Sequence, residues 1–184
     1  MNNEIIRYTL VLGLITILSA TIIAYSHNLT KKPIDRELRK DFLAGLYCVL
    51  PEFDNEPDID AVKIDNITVY VAKKEGAIVG YAVEATSKKG YSGEIAVIVG
   101  TKPNAVIYGI TVVRHTETPG IGDKIEKVSF TSLFSGKSLN KKYAIRNDGG
   151  DIDSLSGATI SSRAVCDAVN KANKLLLEVI REAE

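Results

Sequence analysis

The apolar positions of this 184-residue chain fall into three patterns. The first is an unbroken run: residues 8–30 carry no formal charge over 23 consecutive positions. At about 1.5 Å per residue, roughly 20 helical residues cross a hydrocarbon layer of about 30 Å. The run predicts one membrane-spanning helix at about residues 7–26. Tyr8 and Tyr25 stand near its ends, where amphipathic rings favour the interface. Thr16, Ser19 and Thr21 can turn their hydroxyls onto the preceding turn. Ala24-Tyr25-Ser26 also resembles a signal-peptide cleavage site, but the run exceeds the usual apolar core of such a signal and favours a retained anchor.

The second pattern is helical spacing. Pro33 suits the first turn of a helix. Ile34, Leu38, Phe42, Leu46 and Val49-Leu50 follow at that spacing, and the helix ends near Pro51. A last helix, capped by Ser161 or Ser162, carries Val165, Ala168, Val169, Ala172, Leu176, Val179 and Ile180 on one face. The third pattern is alternation. Residues 66–72 read as a strand, Lys73-Lys74-Glu75-Gly76 as a turn, and residues 77–86 as the strand completing a hairpin. Residues 94–99 and 105–113 read as two more strands, 115–140 as a long loop, and 143–145 as a short strand. Hairpin strands flanked by helices predict an α+β fold with a mainly antiparallel sheet.

Composition sharpens this division. Lys+Arg and Asp+Glu number 23 each, so the formal net charge is zero and mean hydropathy is +0.04. Only Glu4 and Arg7 precede the apolar run; every other charge lies in residues 31–184. The neutral average therefore combines an anchor, residues 1–30, whose apolar run is uncharged, with a charge-rich domain, residues 31–184. A balanced charge excludes a dominant nucleic-acid-binding role, so no nucleic acid is expected as a partner. Two cysteines exclude a disulfide-dense scaffold. Cys48 and Cys166 sit at helical packing positions, and whether they pair is open. His27 and His115 have no paired ligand spacing, so no metal site is expected.

Candidate chemistry concentrates in Asp153-Ser154-Leu155-Ser156-Gly157-Ala158-Thr159-Ile160-Ser161-Ser162, directly before the last helix. Free N–H groups and the positive end of the helix dipole suit a phosphate there. The same residues would also serve as an ordinary N-cap. The segment Asn147-Asp148-Gly149-Gly150-Asp151 reads as a flexible approach to it. Glu117-Thr118-Pro119-Gly120 and Gly122 form a tight turn that exposes backbone, either as a crossover or as a contact surface. Gly120-x-Gly122 lacks the third glycine of a dinucleotide fingerprint. Gly90-Tyr91-Ser92-Gly93 is not a nucleophile elbow.

The motif Asp-x-x-Ser-Gly-Ala-Thr at 153–159 resembles the flavinylation signature of FMN-binding domains. Gly90–Gly93, His115–Lys124 and Gly149-Gly150-Asp151 occur in the order seen in one family. With the single N-terminal span, the chain resembles the G subunit of the Rnf-type ion-translocating ferredoxin:NAD⁺ oxidoreductase. A relative, the C subunit of the sodium-pumping NADH:quinone reductase, shares the motifs but is typically longer, so 184 residues favour the Rnf type.

The resemblance implies FMN joined by a phosphoester to Thr159, installed from FAD by a separate flavin transferase. No base beside Thr159 is needed if that enzyme supplies the chemistry. Ser161 is the competing hydroxyl. Ser156, Gly157, Ala158, Ser161, Asp153, Glu117, Thr118, Tyr91 and Ser92 are the other implied cofactor-site residues, with Asp153 a recognition or metal-contacting residue for the transferase. The implied role is electron relay between subunits of a membrane complex that moves Na⁺ or H⁺, not catalysis alone. The implied location is the cell inner (plasma) membrane, single-pass, with the C-terminal domain extracytoplasmic. Lys31, Lys32, Arg36, Arg39 and Lys40 pull the other way, because Lys/Arg counting would place that domain inside. Three alternatives stay open: the equivalent role in the quinone reductase, a free-standing anchored flavoprotein, and a non-redox tethered assembly module.

Overall fold

The computed structural model describes residues 2–64 and 67–183. The chain divides into two compact units, Met1–Asp41 and Phe42–Glu184. The described residues of the first unit all belong to helix α1, which runs over Asn2–Val49. This helix is long and apolar enough to cross a membrane: its most apolar 18-residue window has mean hydropathy 2.0, with none of it buried. Thr16 and Thr21 donate to the Leu12 and Ile17 carbonyls at 2.7 and 2.8 Å. Among the described residues, Ser19 makes no such bond. Pro33 lies inside α1 and does not open a second helix as expected. Its ring holds a helical φ, so the helix continues past it with one backbone hydrogen bond missing.

The second unit begins with the last turns of α1. Its sheet has five antiparallel strands in sequential order. These are β1 (Val62–Ile64), β2 (Ile67–Lys74), β3 (Ala77–Ser87), β4 (Ile95–Thr101) and β5 (Ile107–Arg114). Asn66, the first residue of the expected β2, lies outside the described residues. The hairpin β2–β3 closes at Glu75–Gly76, as the turn residues predict. β1 has no counterpart in the sequence reading. It is three residues long, and Val62 and Lys63 are exposed, so no alternation marks it.

Period-two alternation sends side chains to both faces of the sheet. Tyr81, Val83 and Ala85 of β3 and Ile95, Val97 and Val99 of β4 face one core. That core is closed by α3 (Thr159–Ala183), through the face expected from helical spacing. Ala72, Ala82 and Ile98 face the other way and pack on Leu46, Val49 and Leu50. β4 is therefore buried along its whole length, a helix on each side.

Residues 115–140 are not the expected loop. They hold a 3-10 turn at Gly122–Glu126, helix α2 (Val128–Thr131) and a second 3-10 turn at Ser132–Phe134. Each turn drives an apolar side chain inward: Ile125, Phe130 and Phe134 are buried. Phe134 meets Phe130 and Tyr143 edge-on, at centroid distances of 5.9 and 5.8 Å. These elements are too short for a period to register in sequence. Residues 143–145 form no strand. Ile145 makes a single parallel bridge to Ile152.

Gly100 marks the closest approach of α1 to the sheet, because a Cβ there would overlap the Val49 carbonyl. Gly100→Ala is expected to destabilise the second unit by about 1–3 kcal/mol, the usual range for overpacking. A lower urea midpoint at unchanged cooperativity would register it.

Candidate functional site

The 3-10 turn at Gly122–Glu126 and the N-terminus of α3 face each other across a cavity of about 550 Å³. Its walls are Tyr91, Glu117, Thr118, Ile121, Gly122 and residues 157–161. The structure thus brings Tyr91, Glu117, Thr118, Gly157, Ala158, Thr159 and Ser161 together from three separate sequence motifs. Ser92 stands behind the wall, donating its backbone N–H to Glu117 Oε1 at 3.1 Å. Ser156 and Asp153 do not line the cavity. Asp153 is exposed and ion-paired with Arg146.

Glu117 organises this wall. It is 5% exposed, and Ser161 Oγ donates to its Oε2 at 2.6 Å. Cβ atoms at Gly90 or Gly122 would collide with the Glu117 side chain, so glycine at both positions lets the backbone close around the carboxylate. The backbone N–H of Glu117 donates to His115 Nδ1 at 3.0 Å. His115 Nε2 lies 2.7 Å from Glu126 Oε1, which fixes the imidazole between the two glutamates. Ser161 is therefore a tie between helix and loop, not the cap expected of it. Ser162 is not a simple cap either. Its hydroxyl accepts from the Leu155 N–H and donates to the Ala158 carbonyl, which folds 155–158 back onto α3.

Thr159 opens α3 and is half-buried on the cavity wall. Its hydroxyl bonds no other described residue. The arrangement suits a phosphate-bearing ligand with an apolar body. The helix N-terminus accommodates the phosphate, while Tyr91, Ile121 and Ile160 offer apolar surface. Ile121 and Ile160 are wall residues outside the implied cofactor-site set, and Gly122 of the tight turn joins them. Each neighbours a motif residue, and only the fold turns them toward the same space.

Comparison with known proteins decides the family. Residues 90–174 match the family model of the FMN-binding domain, so the matched segment contains every wall of the cavity. The G subunit of the ion-translocating oxidoreductase complex of Haemophilus influenzae (strain PittEE) is 38% identical, covering 93% of this chain and 89% of that protein. Its counterpart in Cereibacter sphaeroides is also 38% identical, covering 88% and 80%. The chain belongs to the family of G subunits of ion-translocating oxidoreductase complexes. Two solved structures share its fold at 22% identity. NqrC of Shewanella oneidensis has a TM-score of 0.54 over 75% of this chain and 74% of that one. The C subunit of the Na⁺-translocating NADH-quinone reductase from Parabacteroides distasonis has 0.55 over 72% and 78%.

In this family member the stretch before the Ser-Gly-Ala-Thr motif is braced, not flexible as its glycines suggest. Residues Arg146–Asp148 form a 3-10 turn. Asp148 holds the Arg163 guanidinium with two bonds, at 2.6 and 2.8 Å. Asp151 holds Lys137 and Lys141 at 2.6 and 2.9 Å. Those two lysine hydrogen bonds outweigh burial and keep the Asp151 carboxyl down at about 2. The cysteines are both free, Cys48 exposed and Cys166 buried. Burial, helped by the charges of Asp151 and Asp148, pushes the Cys166 thiol up to about 12, so it stays a packing group.

Two expectations follow from these bonds. Ser161→Ala leaves a buried carboxylate oxygen without its donor and is expected to cost roughly 1.5–3 kcal/mol in chemical denaturation. Ser92→Ala should cost nothing comparable, since Ser92 donates through its main chain. The Asp151 carboxyl is depressed in the folded state, so its contribution is present above the unfolded value of 3.8 and is lost as pH falls towards 2. Asp151→Asn should remove that part of the acid-induced loss of stability, seen as a flatter unfolding-temperature profile across this window.

Proposed function

We propose that the chain is a membrane-anchored electron carrier of an Rnf-type ferredoxin:NAD⁺ oxidoreductase, holding FMN through a phosphoester to Thr159. The observation that carries this reading is the Thr159 hydroxyl. It is unengaged by any described residue and stands at a helix N-terminus on the cavity wall. Ser161, the competing hydroxyl, is buried and committed to Glu117. Attachment would join Thr159 Oγ1 to the phosphorus of the FMN half of FAD, with AMP leaving. A threonine hydroxyl needs an activating base for such a step. Glu117, the carboxylate on the cavity wall, already accepts from Ser161 and Ser92, which favours a separate flavin transferase as the source of that base. Asp153, exposed on the approach to Thr159, is a recognition point for that enzyme.

FMN, once bound, supplies one- and two-electron transfer; the protein supplies tethering and orientation. Tyr91, Ile121 and Ile160 provide apolar contact surface at the cavity, and the Ser161–Glu117 bond keeps the loop at 115–122 closed against α3. Residues 7–26 anchor the carrier in the bilayer, and residues 31–184 form the FMN-bearing domain on the extracytoplasmic side. Its partners are the other subunits of the complex, which couples electron flow to Na⁺ or H⁺ movement. The fold likeness to the C subunit of the Na⁺-translocating quinone reductase favours a second reading, the same flavin link in that complex. Copurifying subunits distinguish the two.

The decisive experiment coexpresses the chain with a flavin transferase, views a denaturing gel under ultraviolet light and maps the labelled peptide by mass spectrometry. A fluorescent band with the adduct on Thr159 is expected, and Thr159→Ala should abolish it without unfolding the domain. A label that persists in that variant and maps to Ser161 would overturn the site. Protection of the domain from protease in right-side-out vesicles would overturn the topology.

A further inference from the structure

Three walls of the Thr159 cavity, Thr118, Ile121 and Gly122, belong to one loop, and both ends of that loop meet the same side chain. His115 directly follows Arg114, the last residue of β5, which pairs with Ala96 of β4. The sheet therefore fixes its backbone. At the start of the loop, His115 Nδ1 accepts from the Glu117 N–H at 3.0 Å. At its end, His115 Nε2 lies 2.7 Å from Oε1 of Glu126, the last residue of the 3-10 turn. The His115 side chain is 12% exposed, so water competes weakly for either bond. Inside the loop, the Thr118 carbonyl accepts from the Ile121 and Gly122 N–H groups at 3.2 and 2.9 Å. Those bonds shape the turn without tying it to the sheet.

The same contacts settle the form of the ring. A main-chain N–H can only donate, so Nδ1 is an unprotonated acceptor. The ring proton then sits on Nε2 and points at Glu126. An imidazolium would set Nδ1–H against the Glu117 N–H, donor against donor. Histidine suits the position because a rigid ring carries an acceptor and a donor on separate edges. Asparagine carries the same pair on a shorter stem, and alanine carries neither.

We infer that His115, as the neutral tautomer protonated at Nε2, is a positioning residue for the flavin: it clasps the base of loop 117–126 and so holds Thr118, Ile121 and Gly122 in place around the cofactor. The cofactor half of this statement rests on the reading that FMN occupies this cavity. His115 does not itself line the cavity and acts through the loop. Its clasp is distinct from the Ser161–Glu117 bond. That bond ties a side chain to α3, whereas His115 ties the main chain of Glu117 and the far end of the loop to β5.

The test uses the full chain in detergent, loaded with FMN by a coexpressed flavin transferase. The chain has two histidines, so comparison with His27→Ala assigns the His115 ring in a nitrogen-15 NMR spectrum. A proton on Nε2 is expected, in the parent and in Glu126→Gln, which keeps an oxygen acceptor. A proton on Nδ1 at neutral pH would overturn the proposal. His115→Ala should speed hydrogen exchange at the Glu117 amide roughly two- to tenfold, the net worth of one hydrogen bond. It should also lower the fluorescence anisotropy and the visible circular dichroism per attached flavin. Asparagine can accept from the N–H two residues on, as it does in turns. His115→Asn should therefore restore slow exchange at Glu117 but not the flavin signals, because Glu126 stays released. Flavin signals in His115→Ala equal to those of the parent would overturn the proposal, since a merely structural histidine would lower stability without moving them. If His115→Ala does not fold, His115→Asn carries the same comparison. A parent chain that acquires no flavin would overturn the cofactor reading, and the tautomer and exchange results would still decide the clasp.

Discussion

A carboxylate buried without a cation must be satisfied by neutral donors, or burial would expel its charge. Glu117 meets this condition with a hydroxyl from α3 and a main-chain N–H from the segment before β4. The two donors come from opposite sides of Glu117 in the chain, so satisfying one side chain fixes three segments at once. Glycine at 90 and 122 is the steric counterpart, since either Cβ would occupy the space of the Glu117 side chain. The cavity that contains Thr159 is the volume left between these tied segments. The proposed flavin site thus depends on a polar contact buried beneath its wall.

The scaffold behind that contact is layered. β4 is buried on both faces, with α3 on one and the last turns of α1 on the other. One end of α3 presents its first turn to the cavity, while its length covers the sheet. A helix anchored by so much apolar surface can offer its N-terminus without fraying. The polar braces add local stiffness: Asp148 to Arg163, Asp151 to two lysines, and Arg146 to Asp153. They hold the approach to Thr159 even though the residues there, rich in glycine and short polar side chains, suggest mobility.

Much of this was legible in the chain. Seven positions on α3 could be read as its core face, because a long helix repeats its burial every three to four residues. The hairpin at Glu75–Gly76 and the strands before and after Pro103 were equally plain. Elements shorter than one period escaped. β1 has three residues, and the short elements from Gly122 to Phe134 each contribute a single buried apolar side chain, so nothing repeats. Pro33 was misread for a related reason: proline favours a helix start, but a helix with strong residues on both sides can run through it.

The candidate site divides along the same line. Sequence alone determined the uncharged run of residues 8–30, the α+β alternation, and a Ser-Gly-Ala-Thr motif at the mouth of a helix, because each is local and set by neighbours in the chain. The motif resemblance pointed to Thr159 over Ser161, but nothing along the chain gave Ser161 a structural role beyond a helix cap. Tertiary structure separated them. Ser161 is consumed by a glutamate 44 positions away, while Thr159 remains unengaged by any described residue on the wall of a cavity. Contacts across that separation carry no periodic signature. They exist only once the sheet has brought the loop at 115–122 against the first turn of α3, so the commitment of Ser161 to Glu117 could not be read along the chain.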